Sequence, residues 1–171
     1  EISTILCRKK KPNAILVGPA GTGKTSLVEG LAARIVSGES PELIANKVIY
    51  SLSLSSMVAG TQYRGQFEER LEKFVDEVIG ATTINEYTST IKKDSALDRR
   101  FEKVIVKEPS KFQMSEILPT ITSYYEEFHG VEYTDNFINN VIDYCEKYLP
   151  NKFYPDKAID VVDHCGAQSK L

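Results

Sequence analysis

The sequence predicts an α/β fold, a parallel sheet with helices on both faces, followed by a small α-helical domain. Three observations point there. A short apolar strand runs into a glycine-bearing loop and then an apolar helix; strand and helix patterns alternate up to Glu108; and every periodic segment after Pro109 is helical. A chain of 171 residues, 42% of them hydrophobic, is long enough to build a core in each of two parts, expected at 1–108 and 109–171.

The first strand is Asn13 to Val17, an apolar run that stops at Gly18. Beyond Gly23, Leu27, Val28, Leu31, Ile35 and Val36 recur at helical spacing until Ser37-Gly38-Glu39-Ser40-Pro41 ends the helix. Lys47 to Leu54, rich in Val, Ile, Tyr and Leu, reads as a second strand and completes a βαβ unit. A loop over 55–65 leads to a helix with Phe67, Leu71, Phe74, Val75 and Val78 on one face. Ile79 to Thr83 reads as the third strand, Leu97 to Phe101 as the tail of a charged helical stretch, and Val104 to Val106 as the fourth strand. Helices are then expected at 111–129, 135–148 and 155–169, separated by Gly130 and by Pro150 and Pro155.

Gly18-Pro19-Ala20-Gly21-Thr22-Gly23-Lys24-Thr25 fits GxxxxGK[ST] between a strand and a helix, the context in which this pattern forms a phosphate-binding P-loop. The glycines let backbone N–H groups wrap an anion at a helix N-terminus, where the helix dipole also favours negative charge. Lys24 is then expected to reach the terminal phosphates of ATP or ADP, the Thr25 hydroxyl to bind Mg²⁺, and Ser26 to complete the nucleotide-contacting run 18–26.

Other chemistries are disfavoured by composition. Twenty-one Lys and Arg against 24 Asp and Glu leave a net charge of −3, with no basic excess for a nucleic-acid backbone. Cys7, Cys145 and Cys165 are odd in number and form no CxxC pair, and the histidines are His129 and His164, which argues against disulfides and structural zinc. No apolar run approaches the roughly 18 residues of a membrane span, and Glu1-Ile2-Ser3-Thr4 is not a basic-then-apolar leader, so a cytoplasmic protein is expected.

Several separated blocks resemble the first ATPase module of the Clp unfoldases and disaggregases (ClpA, ClpB, ClpC), within the AAA+ proteins. They are Gly18–Thr25 with Val28-Glu29-Gly30-Leu31-Ala32, and the block from Ala59 to Leu71 that holds Gly60-Thr61-Gln62-Tyr63-Arg64-Gly65. Further on come Gly80-Ala81-Thr82-Thr83 with Glu86-Tyr87, then Leu97-Asp98-Arg99-Arg100-Phe101, and finally Leu149-Pro150 with Pro155-Asp156-Lys157-Ala158-Ile159-Asp160. The resemblance implies an AAA+ P-loop sheet and a helical lid, assembled as a homo-hexamer that threads protein substrates through a central pore. It implies that Tyr63 grips the substrate, that Arg99 and Arg100 reach a neighbour's γ-phosphate, that Thr83 senses that phosphate, and that Ile117, Ile121 and Pro155 pack the adenine. On periodicity alone Ile117 and Ile121 are core residues. A protease or co-chaperone partner is also implied, while ring assembly in the family draws on further domains, leaving the chain alone open to being a monomer. Two departures stand out: no arginine occupies the sensor-2 neighbourhood at Asp156-Lys157, and Gln62 stands where the family often has lysine.

The largest departure is an absence. Hydrolysis by this machinery needs an apolar strand ending in Asp-Glu, the Asp for Mg²⁺ and the Glu for the attacking water. The nearest string, Phe74-Val75-Asp76-Glu77, reads as helix, and against the family several tens of residues vanish between about Asp76 and Gly80. Because losing a central strand exposes unpaired backbone, the expectation is a break in the chain between 76 and 80, with a Cα separation far above 3.8 Å. Taken literally, the absence gives the alternative function, a nucleotide-binding scaffold without hydrolysis. A DNA-directed AAA+ activity is weakened by the acidic balance.

Overall fold

The computed structural model describes residues 1–50, 78–93 and 95–170. The loop 55–65 with Gln62 and Tyr63, the helix expected from Phe67, the Asp76-Glu77 pair and residues 51–54 of the expected second strand lie outside the described residues.

The described elements run α1 (Ile2–Leu6), β1 (Asn13–Val17), α2 (Lys24–Val36), β2 (Ile79–Thr82), α3 (Ile84–Glu86), a π-helical turn (Tyr87–Ile91), α4 (Ser95–Asp98), β3 (Phe101–Ile105), α5 (Lys111–His129), α6 (Asp135–Tyr148) and α7 (Asp156–Gln168). They divide into two compact units, one of Glu1–Val17 with Thr25–Ile105, the other of Gly18–Lys24 with Val106–Leu171.

The first unit is built on a parallel sheet, three-stranded among the described residues, in the order β2-β1-β3. Val17 pairs with Thr82 on one side and with Ile105 on the other, so the three strands end level at their carboxyl ends. β1 is buried along its whole length, as a central strand covered on both faces must be, and its unbroken apolar run Ala14-Ile15-Leu16-Val17 is the sequence signature of that position. α2 follows with Leu31 buried and Leu27 and Val36 exposed.

Several expectations for this unit are corrected. Lys47–Tyr50, the start of the expected second strand, carry no regular structure, and Val48 and Tyr50 are exposed; their residue types suit a strand, but a strand also needs a ladder partner. β3 begins at Phe101 rather than Val104 and ends at Ile105, because Glu102 and Lys103 hide a pairing segment that an apolar count misses. The charged helical stretch ends at Asp98, short of Phe101. Val78, read as the end of a helix, leads instead into β2: its carbonyl accepts the Ala14 N–H at 2.9 Å. The chain runs unbroken from Val78 through Gly80, so the expected break is not found there, and residues 76 and 77 lie outside the described residues.

The second unit holds, beside Gly18–Lys24, a three-helix lid, and capping chemistry sets both ends of α5 and the start of α6. Ser110 caps α5 by accepting the Gln113 N–H, while the Gln113 side chain accepts the Ser110 N–H, a reciprocal capping box. Gly130, in the left-handed region at φ 64°, closes α5 by donating to the Glu126 carbonyl at 2.7 Å. Thr134 caps α6 by accepting the Phe137 N–H. Met114 and Leu118 of α5, Ile138, Val141, Ile142 and Cys145 of α6, and Ala158 and Val162 of α7 close on Tyr154 to form one core. Burial pushes the Tyr154 phenol above its ordinary pKa, and its hydroxyl donates to the Ile142 carbonyl at 2.8 Å.

Ile117 does not join this core. It is 39% exposed, because the buried line of α5 runs through Met114, Leu118 and Thr122 and leaves the next row facing outward; Ile121 is half-buried.

Candidate nucleotide-binding site

The loop that leaves β1 is shaped by its glycines. A methyl group on Gly18 would lie 2.3 Å from the Val106 carbonyl oxygen, a backbone atom that cannot step aside, so only glycine allows this approach. Gly21 and Gly23 take φ of 80° and 75°, the left-handed conformation that occurs in loops whose N–H groups can cradle an anion. Thr22 is buried, its hydroxyl donating to the Pro19 carbonyl at 2.9 Å, while Ala20 is exposed and Pro19 half-buried.

Lys24 is folded onto the loop itself. Its ammonium donates to the Gly18 carbonyl at 3.0 Å and the Pro19 carbonyl at 2.7 Å. The cation is thus kept at the loop, where an incoming phosphate can exchange for those carbonyls. Thr25 and Ser26 follow, exposed, in the first turn of α2.

The lid closes one side of the loop within the second unit. The Asp156 N–H donates to the Gly21 carbonyl at 3.3 Å, and the ring of Pro155 lies 3.7 Å from where a Cβ on Gly23 would be. Lys157 is turned into the lid. Its side chain is buried, its ammonium 3.1 Å from Glu108 Oε1 and 3.9 Å from the centroid of the Tyr154 ring. Glu108 also accepts the Tyr154 N–H at 2.8 Å. This is an ion pair in the lid between a buried lysine and a half-buried glutamate, and removing Glu108 would strand the buried Lys157 charge.

Within the first unit, Thr83 lies just beyond the carboxyl end of β2 and caps α3. Its hydroxyl accepts the Glu86 N–H at 3.3 Å, and Glu86 Oε2 accepts from the Thr83 N–H and the Thr82 hydroxyl, each at 3.0 Å. The Thr83 O–H proton is still available to donate outward.

Arg99 and Arg100 lie at the opposite end of the sheet. They precede β3, whose first residue pairs with Asn13, and the four steps from Asn13 to Val17 put that end about 13 Å from Val17, where the loop departs. The pair is flanked by groups to which the sequence reading gave no role. Tyr87 donates to Asp98 Oδ1 at 2.6 Å, an acceptor bond that raises the Tyr87 pKa to about 12, and so ties the end of α4 to the π-helical turn. Buried Asn13 donates to the Arg100 carbonyl at 3.3 Å and accepts the Val78 N–H at 2.8 Å. A polar residue opening an otherwise apolar buried strand was the available signal for Asn13; nothing in the sequence pattern marks the contact of Asp156 with Gly21.

Among the described residues the cysteines are free, no group of three or more His, Cys, Asp or Glu is placed to hold a metal ion, and no helix is long and apolar enough to cross a membrane.

Comparison with known proteins agrees with this geometry. Residues 14–84 match the ATPase family associated with various cellular activities (AAA), and residues 110–171 match the AAA lid domain. The chain is 40% identical over 209 residues to the ATP-dependent Clp protease ATP-binding subunit ClpL of Lactococcus lactis, covering 95% of this chain and 27% of that protein. It is 39% identical over 207 residues to the chaperone protein ClpB of Staphylococcus aureus, covering 95% of this chain and 24% of that protein. Both alignments are longer than this chain of 171 residues, so those relatives carry residues with no counterpart here. The Saccharomyces cerevisiae Hsp104–ADP complex superposes with a TM-score of 0.85 at 32% identity, and an Hsp104:casein complex with 0.86, each over 98% of this chain and 36% of the other. The chain thus spans about a quarter of the curated relatives it matches. With an AAA domain, its lid and this likeness to ClpL, ClpB and Hsp104 over nearly its whole length, the chain belongs to the AAA ATPases of the Clp/Hsp104 type.

Proposed function

We propose that the chain binds ATP and ADP at Gly18–Thr25 and acts as an ATP-hydrolysing module of a Clp-type machine that remodels protein substrates by threading them through a hexameric pore. The observation that carries the reading is the loop: left-handed glycines at 21 and 23, a lysine held on the loop's carbonyls, and Pro155 and Asp156 of the lid against it.

In this reading the loop N–H groups cradle the phosphates, Lys24 neutralises the terminal ones, and Ile117, Ile121 and Pro155 meet the adenine. Ile117 and half-buried Ile121 are accessible for that, being off the core of the lid. Mg²⁺ suits the donor set, since the ion is commonly held by phosphate oxygens and one or two protein oxygens, and the Thr25 hydroxyl supplies one at the loop's end. When bound, the ion offsets phosphate charge; Thr25 orients it, and Thr83 donates toward the γ-phosphate.

The distance from Val17 to the start of β3 favours Arg99 and Arg100 acting on the nucleotide of a neighbouring copy. Arg100→Ala is therefore expected to lower ATP turnover by about 10³-fold in the assembled protein and to leave the monomer's basal rate unchanged, read by measuring turnover against chain concentration. An equal loss in the monomer would assign Arg100 to its own fold or site. Tyr63→Ala is expected to spare ATP turnover and stop the processing of an unfolded polypeptide; full processing by that variant would refute the pore assignment. Protein substrates, a protease or co-chaperone partner and a cytoplasmic location belong to the same proposal.

The deciding experiment is ATP turnover in the presence of Mg²⁺ by the chain beside its Lys24→Ala variant. The only Asp-Glu dipeptide in the sequence is Asp76-Glu77, so this test bears directly on hydrolysis. Turnover above that variant supports the motor reading; binding without turnover would reverse it to a nucleotide-gated scaffold.

A further inference from the structure

The carboxylate of Asp156 sits over the phosphate-binding loop, and nothing in the proposed chemistry uses it. A methyl group at Gly21 would lie 2.9 Å from Asp156 Cβ and 3.2 Å from its Oδ2 oxygen, so the acid is packed on the middle of the loop. The contact is fixed from behind by the Asp156 N–H bond to the Gly21 carbonyl and by the neighbouring Lys157, anchored on Glu108 and Tyr154. The side chain is exposed and makes no ion pair among the described residues, whereas Asp160 and Asp163 of the same helix are paired with Lys152 and His129. Meanwhile Lys24 holds its charge on the loop's own carbonyls.

We propose that Asp156 is a specificity-determining residue of the nucleotide site, a fixed negative charge that weakens binding in proportion to the phosphate charge a ligand brings into the loop. The inference rests on the nucleotide-binding reading and deepens it. The chain has no arginine in this neighbourhood to attract a terminal phosphate, and an unpaired carboxylate beside the cradle acts in the opposite sense. Nucleotides are therefore held less tightly than the loop alone allows, and the more highly charged triphosphate suffers most. Because Asp156 is the first residue of α7, any phosphate that does bind pushes on the helix that carries the acid.

The test is titration of adenosine, ADP and ATP, without and with Mg²⁺, into the full chain and its Asp156→Asn and Asp156→Glu variants, with thermal unfolding to show that each is folded. Asp156→Asn is expected to bind ADP about fivefold tighter, with a larger gain for ATP, none for adenosine, and a smaller gain at about 0.5 M salt. Asp156→Glu, which keeps the charge, is expected to show no gain. Unchanged or weaker binding by Asp156→Asn, or an equal gain for adenosine, would overturn the proposal. If the wild-type chain binds no better than Lys24→Ala and Asp156→Asn rescues nothing, the nucleotide-binding reading itself has failed and takes this inference with it; binding by the wild type with no change in the variant sinks the inference alone.

Discussion

Replacing Lys24 with alanine is expected to weaken ATP and ADP binding by about 100-fold or more while leaving the chain folded. Among its contacts the side chain hydrogen-bonds the loop's own Gly18 and Pro19 carbonyls, each bond about 1 kcal/mol net at a part-buried site that water can reach. In the bound state the same ammonium would meet phosphate oxygens, where a charge-assisted bond is roughly twice as strong and no other described lysine of the loop takes its place. Titration with a fluorescent nucleotide analogue, with circular dichroism as the check on folding, decides it. A variant that keeps affinity within about fivefold would show that the N–H groups alone carry the phosphates.

Gly166→Ala is expected to be the most disruptive single change in the lid. The added Cβ would sit 2.3 Å from the Tyr133 hydroxyl oxygen and 2.4 Å from His129 Cδ2. Neither group is free to retreat. Tyr133 donates to the Val162 carbonyl at 3.0 Å and stacks on Phe137, while buried His129 is 2.7 Å from Asp163 Oδ1 and edge-on to Phe128. Overpacking of this kind costs about 1–3 kcal/mol or more, and it outweighs the gain of about 1 kcal/mol from replacing a helical glycine by alanine. Chemical denaturation of the two proteins measures the difference; equal or higher stability would mean that α7 shifts along its axis without penalty.

The first two lid helices were legible to the residue because their boundaries are written in local chemistry, while the third, expected at 155–169, runs Asp156–Gln168 and has no side-chain cap. Ser110 with Gln113, Thr134 and Gly130 act within one turn of where they stand, so 111–129 and 135–148 could be read from neighbours alone. The turn at Gly18–Gly23 and the helix start at Lys24 were legible for the same reason: spacing and glycine suffice. Strands were read less well. Asn13–Val17 is apolar throughout and declares itself, whereas Glu102 and Lys103 are drawn into β3 by pairing with β1, a partner far away in the chain, and Lys47–Tyr50 shows strand residues with no regular structure. Ile117 shows the matching limit for helices. An apolar residue at helical spacing says that a face exists, but which row is buried depends on where α6 and α7 lie. The packing of Asp156 on Gly21 lay beyond any pattern, since it joins two segments that share no periodicity.

Asn13 has a consequence for how the sheet finds its alignment. In a strand with one wet face, sliding by one residue turns apolar side chains to solvent, and that penalty selects the pairing. β1 has no wet face; Ala14, Ile15, Leu16 and Val17 are all buried, so a slipped pairing would bury the same kinds of side chain and hydrophobicity barely distinguishes it. The amide of Asn13 does distinguish it. It meets the Val78 N–H on one side and the Arg100 carbonyl on the other only in the observed alignment, and a slip would leave a buried donor and a buried acceptor unanswered at once. One polar side chain thus serves as the index mark against which both neighbouring strands are set.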